Sequence, residues 1–253
     1  MRIILQECKM DLLRAVRYRV GMISDLVLFT VLLVFFLMSD TGTSFGEEYG
    51  TGDYKTLLLL GYVAWTLSSA AINTVAPQIS GEVQRGTFFL KINSRIPMQL
   101  IYFGDFLAAI AIQSVIAVIC TVGAHFIWDT AFVVRPDVIA ALIVCTIGMY
   151  GIGLIIAGFQ LFFKRVGSLV FVLQLGLLFV TDTLPTSGSI TRITSILPLT
   201  RCNAIIREAF TGTAATAEYI GLLLCSAVCF AVGYAVFEIF LRMAKKKGNL
   251  LMY

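Results

Sequence analysis

Six long apolar stretches, parted by short polar breaks, run through this chain of 253 residues. They lie near residues 20–38, 57–79, 100–127, 138–163, 166–184 and 219–241. A bilayer core is about 30 Å thick and takes roughly 20 apolar residues to cross as a helix. It offers no water to backbone N–H and C=O groups, so each crossing segment must bond internally. The pattern therefore predicts an all-α membrane protein with six transmembrane helices. Composition agrees, with 58% hydrophobic and 13% charged residues. Average soluble domains carry about 25% charge.

Little chain is left for anything else. No polar segment reaches the roughly 40 residues that folding alone usually needs. The expected organisation is an amphipathic interface helix over 1–19, one six-span domain over 20–241, and a basic tail over 242–253. The first apolar stretch follows a charged, helix-prone segment and no small-residue cleavage site follows it. It reads as a retained helix, not a signal peptide. Cys8, Cys120, Cys145, Cys202, Cys225 and Cys229 form no C-x-x-C pair. Neither a disulfide framework nor a metal site is expected.

Basic residues near span ends prefer the cytoplasm. One alternating set of polar segments holds Arg2, Lys9, Arg14, Arg17 and Arg19; Arg85, Lys91 and Arg95; Lys164 and Arg165; and Arg242, Lys245, Lys246 and Lys247. The opposite set holds only Lys55, Arg135, Arg192, Arg201 and Arg207. The bias predicts both termini in the cytoplasm, with six spans between. The first outer loop is acidic, with Asp40, Glu47, Glu48 and Asp53. In the N-terminal segment Ile3, Ile4, Cys8, Leu12, Ala15 and Val16 recur at helical spacing, opposite a basic face. Such a helix suits the headgroup layer.

Between the second and third spans lies a charged segment, 80–97, bracketed by Pro77 and Pro97. Both prolines disfavour continuous helix. Residues 82–95 are expected to form a short surface helix, with Phe88, Phe89, Leu90 and Ile92 toward membrane or a partner. A chain that only has to turn round needs no such segment. Glu82, Arg85-Gly86-Thr87, Phe88-Phe89-Leu90, Ser94 and Pro97 resemble the second inner segment of type-2 ABC exporter permeases. That segment reads Glu, Gly-Thr, an apolar pair, then a small residue and proline; here Arg95 and Ile96 separate Ser94 from Pro97. Leu184-Pro185, Leu197-Pro198-Leu199-Thr200 and Arg207 resemble the family's outer segment between the last two spans.

The resemblance implies that Glu82, Arg85, Gly86 and Thr87 couple to a separate ATPase subunit. It implies a second permease chain, identical or related, and a pathway lined by the second and fifth spans. Thr66, Ser69 and Asn73, with Phe171 and Gln174, are the candidate lining positions. The chain has no G-x-x-x-x-G-K-[ST] phosphate loop, so ATP and Mg belong to the partner ATPase and this chain is not itself an enzyme. An amphipathic or apolar substrate leaving the cytoplasm is the expected cargo; nucleic acid is not an expected partner.

Polar residues inside spans are functional suspects. Asp25, Asp105, Gln113, His125, Gln160 and Glu238 qualify, although pairing with nearby bases is the simpler expectation for the acids. An ion-coupled secondary transporter built on Asp25, Asp105 and His125 is the alternative reading. Gly148, Gly151, Gly153 and Gly158 in the fourth span read as a packing seam.

Overall fold

A computed structural model of the chain describes residues 2–39, 43, 45, 52–94, 96–131, 135–163, 167–185, 191, 193–212 and 216–247. The regular structure among the described residues is helical: α1 (Arg2–Arg17), α2 (Arg19–Met38), α3 (Tyr54–Ile72), α4 (Val75–Gln84), α5 (Phe88–Ile92), α6 (Met98–Trp128), α7 (Pro136–Phe163), α8 (Gly167–Val180), α9 (Pro198–Thr211) and α10 (Thr216–Lys247). Among the described residues, five helical stretches are long and apolar enough to cross a membrane: Arg19–Met38, Tyr54–Gln84, Met98–Trp128, Pro136–Phe163 and Ala217–Lys246.

The stretch expected as the fifth of six spans differs. Its helix, α8, has 14 residues, or about 21 Å at 1.5 Å per residue. The cause is local. Asp182 takes a left-handed backbone, φ 58°, and Pro185 disfavours helix at the residue before it. Non-helical backbone at membrane depth survives only where protein buries it. Thr181, Asp182, Thr183 and Leu184 are all buried.

The second expected span also differs in its inner half. Asp53 starts α3 by accepting from the Thr56 amide at 3.2 Å and its hydroxyl at 2.6 Å. The helix then breaks at Asn73 and resumes as α4. The break precedes Pro77 by four residues because proline removes the N–H that would reach the Asn73 carbonyl. Pro77 itself sits in the first turn of α4, where no donor is missed.

Glycine sets the tightest helix contact. A Cβ on Gly148 would stand 2.8 Å from Ser226, and one on Gly151 would collide with the Cys229 carbonyl. Gly233 on α10 packs against the Gly151 backbone in return. In lipid there is little hydrophobic drive between helices, so close backbone approach carries the association. Gly153 meets the Ile72 carbonyl of α3 in the same way, at 2.9 Å.

Helix α1 lies on α6. The contact centres on Gly104, where a Cβ would meet the Ile4 carbonyl at 2.7 Å. The inward face of α1 holds Ile4, Glu7, Cys8, Asp11, Leu12 and Ala15, at helical spacing. Leu5, Met10, Leu13 and Val16 stay exposed. Of the apolar face expected on α1, Ile4, Cys8, Leu12 and Ala15 turn toward the bundle, whereas Val16 stays exposed. Helix α2 is mostly exposed, with Leu33, Phe36 and Leu37 buried.

Candidate functional site

The segment after α4 is built as a helix stop. The Gly86 amide donates to the Val83 carbonyl and the Thr87 amide to the Glu82 carbonyl, 3.1 and 3.0 Å. That pair of bonds is the Schellman closure, which needs a left-handed residue next. Gly86 supplies it with φ 73°. A Cβ there would meet nothing within 4 Å inside the chain, so conformation rather than internal crowding is what requires glycine. The surface helix expected over 82–95 is in fact shorter. Helix α5 spans Phe88–Ile92 and buries those two residues. Arg85, Gly86 and Thr87 are exposed, as are Phe89 and Leu90 at 57% and 72%. Arg95 lies outside the described residues.

Glu82 is not on that outer face. Expected with Arg85, Gly86 and Thr87 to meet a partner, Glu82 instead points into the protein and is buried. Its carboxylate meets Lys91 Nζ at 2.6 Å and accepts from the Tyr102 hydroxyl at 2.8 Å. Lys91 also lies 3.8 Å from Glu7 of α1 and stacks its ammonium over the Tyr102 ring at 5.1 Å. Arg85 instead folds back on the Gly81 carbonyl, 2.9 Å. One buried charge thus joins α4, α5 and α6, and Lys91 extends the joint to α1.

A second polar knot lies beside it. The Gln78 amide donates to Asp11 of α1 at 3.3 Å and to Asp105 of α6 at 3.4 Å. Asp11 is also held by Arg14, 2.7 Å. Burial and the nearby Asp11 and Asp105 carboxylates push the Cys8 thiol up, so it stays protonated near neutral pH. Asp105, expected to pair with a base, is met by an amide instead.

The second and fifth predicted spans are brought together. The Trp65 indole donates to the Gln174 carbonyl at 2.9 Å, and the Gln174 amide donates to the Ser69 carbonyl at 3.1 Å. Thr66 and Ser69 are buried against this seam. Thr66 bonds its own helix at Val63, 2.9 Å. Asn73 is exposed at the helix break, and Phe171 is exposed on α8. Of the candidate lining residues, Ser69 and Gln174 touch; Asn73 and Phe171 do not join them.

At the opposite end of the bundle α9 closes the broken end of α8. Arg207 is fully buried and donates to the Asp182 carboxylate and carbonyl and to the Thr183 carbonyl. Phe45 lies 3.8 Å from its guanidinium. One turn earlier on α9, Asn203 donates to the Thr181 carbonyl at 2.8 Å. Carbonyls freed by the end of α8 are therefore met by two side chains at i, i+4 on α9. Gly61 makes room: a Cβ there would sit 2.9 Å from Arg207.

The other polar suspects are dispersed. Glu238 takes bonds from Gln99 at 2.9 Å and Arg242 at 3.0 Å, as its place near a basic end leads one to expect. Gln160 reaches Ser80 at 3.3 Å. Gln113 is buried in α6. Asp25 is exposed on α2 and makes no ion pair with Arg17 or Arg19 among the described residues. His125 is exposed and bonds the Thr130 carbonyl at 2.6 Å. Asp105 and His125 stand about 30 Å apart along one helix. No His, Cys, Asp or Glu group able to hold a metal occurs among the described residues.

Lys91, Tyr102, Asp182 and Asn203 are site residues that sequence reasoning missed. Asp182 carried a readable signal, an acid inside an apolar stretch. Lys91 carried none, because a base in an inner loop is ordinary.

Compared with known proteins, the chain matches no protein-family model and no curated protein. The class that its helices and their buried polar joints define is an all-α, multi-pass membrane protein.

Proposed function

We propose that this chain is the membrane-spanning subunit of an ATP-driven type-2 ABC exporter in a bacterial plasma membrane. It pairs with a second permease chain and with separate ATPase subunits that bind ATP and Mg. It moves an amphipathic or apolar substrate out of the cytoplasm, with six crossings and both termini inside. The observation that carries this reading is the pinned inner segment. A segment that only reverses the chain needs no buried Glu82–Lys91 pair. One that receives force from a partner does, because a push on the exposed Arg85, Phe89 and Leu90 then passes to α4 and α6 together. The exposed apolar faces of α2 and α8, which flank a gap of about 810 Å³, suit a second chain.

Co-purification tests the partners, and liposomes test the energy source. Export should require the ATPase subunits and ATP. A second reading, an ion-coupled carrier, draws on the two carboxylates that share Gln78. Gradient-driven uptake by the isolated chain, lost when the proton gradient is collapsed, would replace the exporter reading with that one.

A further inference from the structure

A cavity of about 390 Å³ opens sideways between α3, α6 and α7. Its rim residues Val118 and Ile143 are exposed at 55% and 56%, so it faces whatever surrounds the bundle. Among the described residues three hydroxyls line it. Ser114, Thr121 and Thr146 each donate to their own helix, at Ile110, Ala117 and Ile143, 2.7, 2.8 and 2.9 Å. The described lining side chains therefore present hydrocarbon and no free hydroxyl.

On α3 the lining residues Leu59, Val63 and Leu67 recur every fourth position. The next position up that stripe is Lys55. It is half-buried and makes no ion pair among the described residues. Its acidic neighbour Asp53 is occupied by Thr56. The Arg135 and Asp137 side chains engage each other at 2.9 Å. Ala131, at the cavity's upper end, donates to the Thr56 hydroxyl at 2.8 Å, which holds the cavity mouth against the turn that carries Lys55. A lysine in the first turn of a helix also stands at the wrong end of the helix dipole. An anion beside it relieves both defects.

We infer that the cavity and Lys55 together bind one anionic glycerophospholipid of the surrounding bilayer, an acyl chain in the cavity and the phosphate at Lys55. This does not rest on the transport reading. Within a bilayer the water-filled alternative is closed to an apolar cavity, and an empty one forfeits dispersion contacts on every wall. An acyl chain restores them but cannot distinguish one lipid from another, because all tails are equally apolar. Discrimination falls to the head. A lysine near the membrane surface is worth about 1 kcal/mol toward an anionic lipid, or roughly fivefold.

The test uses the full chain reconstituted in nanodiscs of equal phosphatidylglycerol and phosphatidylcholine, then native mass spectrometry of the lipids it retains. The expected wild-type result is about fivefold enrichment of phosphatidylglycerol. Lys55→Gln should equalise the two lipids without lowering the number retained. Ser114→Phe should lower that number for both. Val118→Phe, at an exposed position, carries the same arm if Ser114→Phe does not fold. Equal retention by the wild type, a preference that survives Lys55→Gln, or wild-type retention in the folded phenylalanine variant would overturn the assignment.

Discussion

Lys91 Nζ stands 2.6 Å from a Glu82 carboxylate that is almost sealed from solvent, 4% exposed. Eight residues lie between the two in sequence, the whole helix stop among them. Breaking one partner of such a pair leaves a buried charge without compensation, at a cost of about 3–5 kcal/mol. Lys91→Met should therefore lower the unfolding temperature in detergent far more than Arg85→Met, whose charge is exposed. Adding Glu82→Gln to Lys91→Met should recover much of the loss. Equal effects of the two single variants would deny that the pair braces the loop.

The same geometry changes which variant tests coupling. Glu82→Lys would set two ammonium groups against each other in a buried site and disturb the loop itself. Arg85→Glu reverses charge on the outer face while its one bond, to the Gly81 carbonyl, is local. In membranes holding the ATPase partner, Arg85→Glu should cut transport at least tenfold with insertion and thermal stability unchanged. Wild-type transport by that variant would remove this face from the mechanism.

The packing glycines make a prediction with an internal control. Gly151 and Gly233 meet backbone directly, whereas a Cβ on Gly123 meets nothing within 4 Å. Gly233→Ala should destabilise by more than 1 kcal/mol, roughly the low end of the cost of overpacking. Gly123→Ala should be neutral or stabilising by about 0.5–1 kcal/mol, since alanine is the better helix former. Thermal unfolding of the two variants side by side decides it.

Much of the architecture was legible because its signals are one-dimensional. Apolar run length found the five long helices but not the short α8, and the glycine spacing of α7 found the seam. The partner glycine on α10, Gly233, was not legible, because a single glycine has no spacing to read. Nor were the charge partners. Glu82 looks exposed in a polar stretch; only the turn at Gly86 brings Lys91 back to bury it. Arg207 stood out, but Asp182 is 25 residues away and meets it only because α8 stops short.

That outer pair gives its own prediction. Arg207 bonds the Asp182 side chain from one nitrogen and two carbonyls from another, a span that a planar fork covers and a single ammonium nitrogen does not. Arg207→Lys should thus fail to rescue, and should lower surface expression almost as far as Arg207→Ala. Asp182→Asn should cost less, because the carbonyl bonds remain. Full expression of Arg207→Lys would show that charge alone suffices there.

Orientation is the last expected outcome, and it follows from the basic residues. By sequence, fourteen of the 19 belong to the alternating set of polar segments that includes α1, α5 and the end of α10. The positive-inside rule puts that set in the cytoplasm. Gly52, just before α3, and Ser94, just after α5, are both exposed and lie at opposite ends. In intact cells a membrane-impermeant maleimide should label Gly52→Cys and spare Ser94→Cys until the membrane is opened. Two of the native thiols are guarded against labelling. A bond with Cys145 and burial push the Cys202 thiol up, and Cys8 is held protonated by burial and its acidic neighbours. Labelling of Ser94→Cys alone in sealed cells would invert the topology and place the pinned loop outside, beyond the reach of any cytoplasmic ATPase.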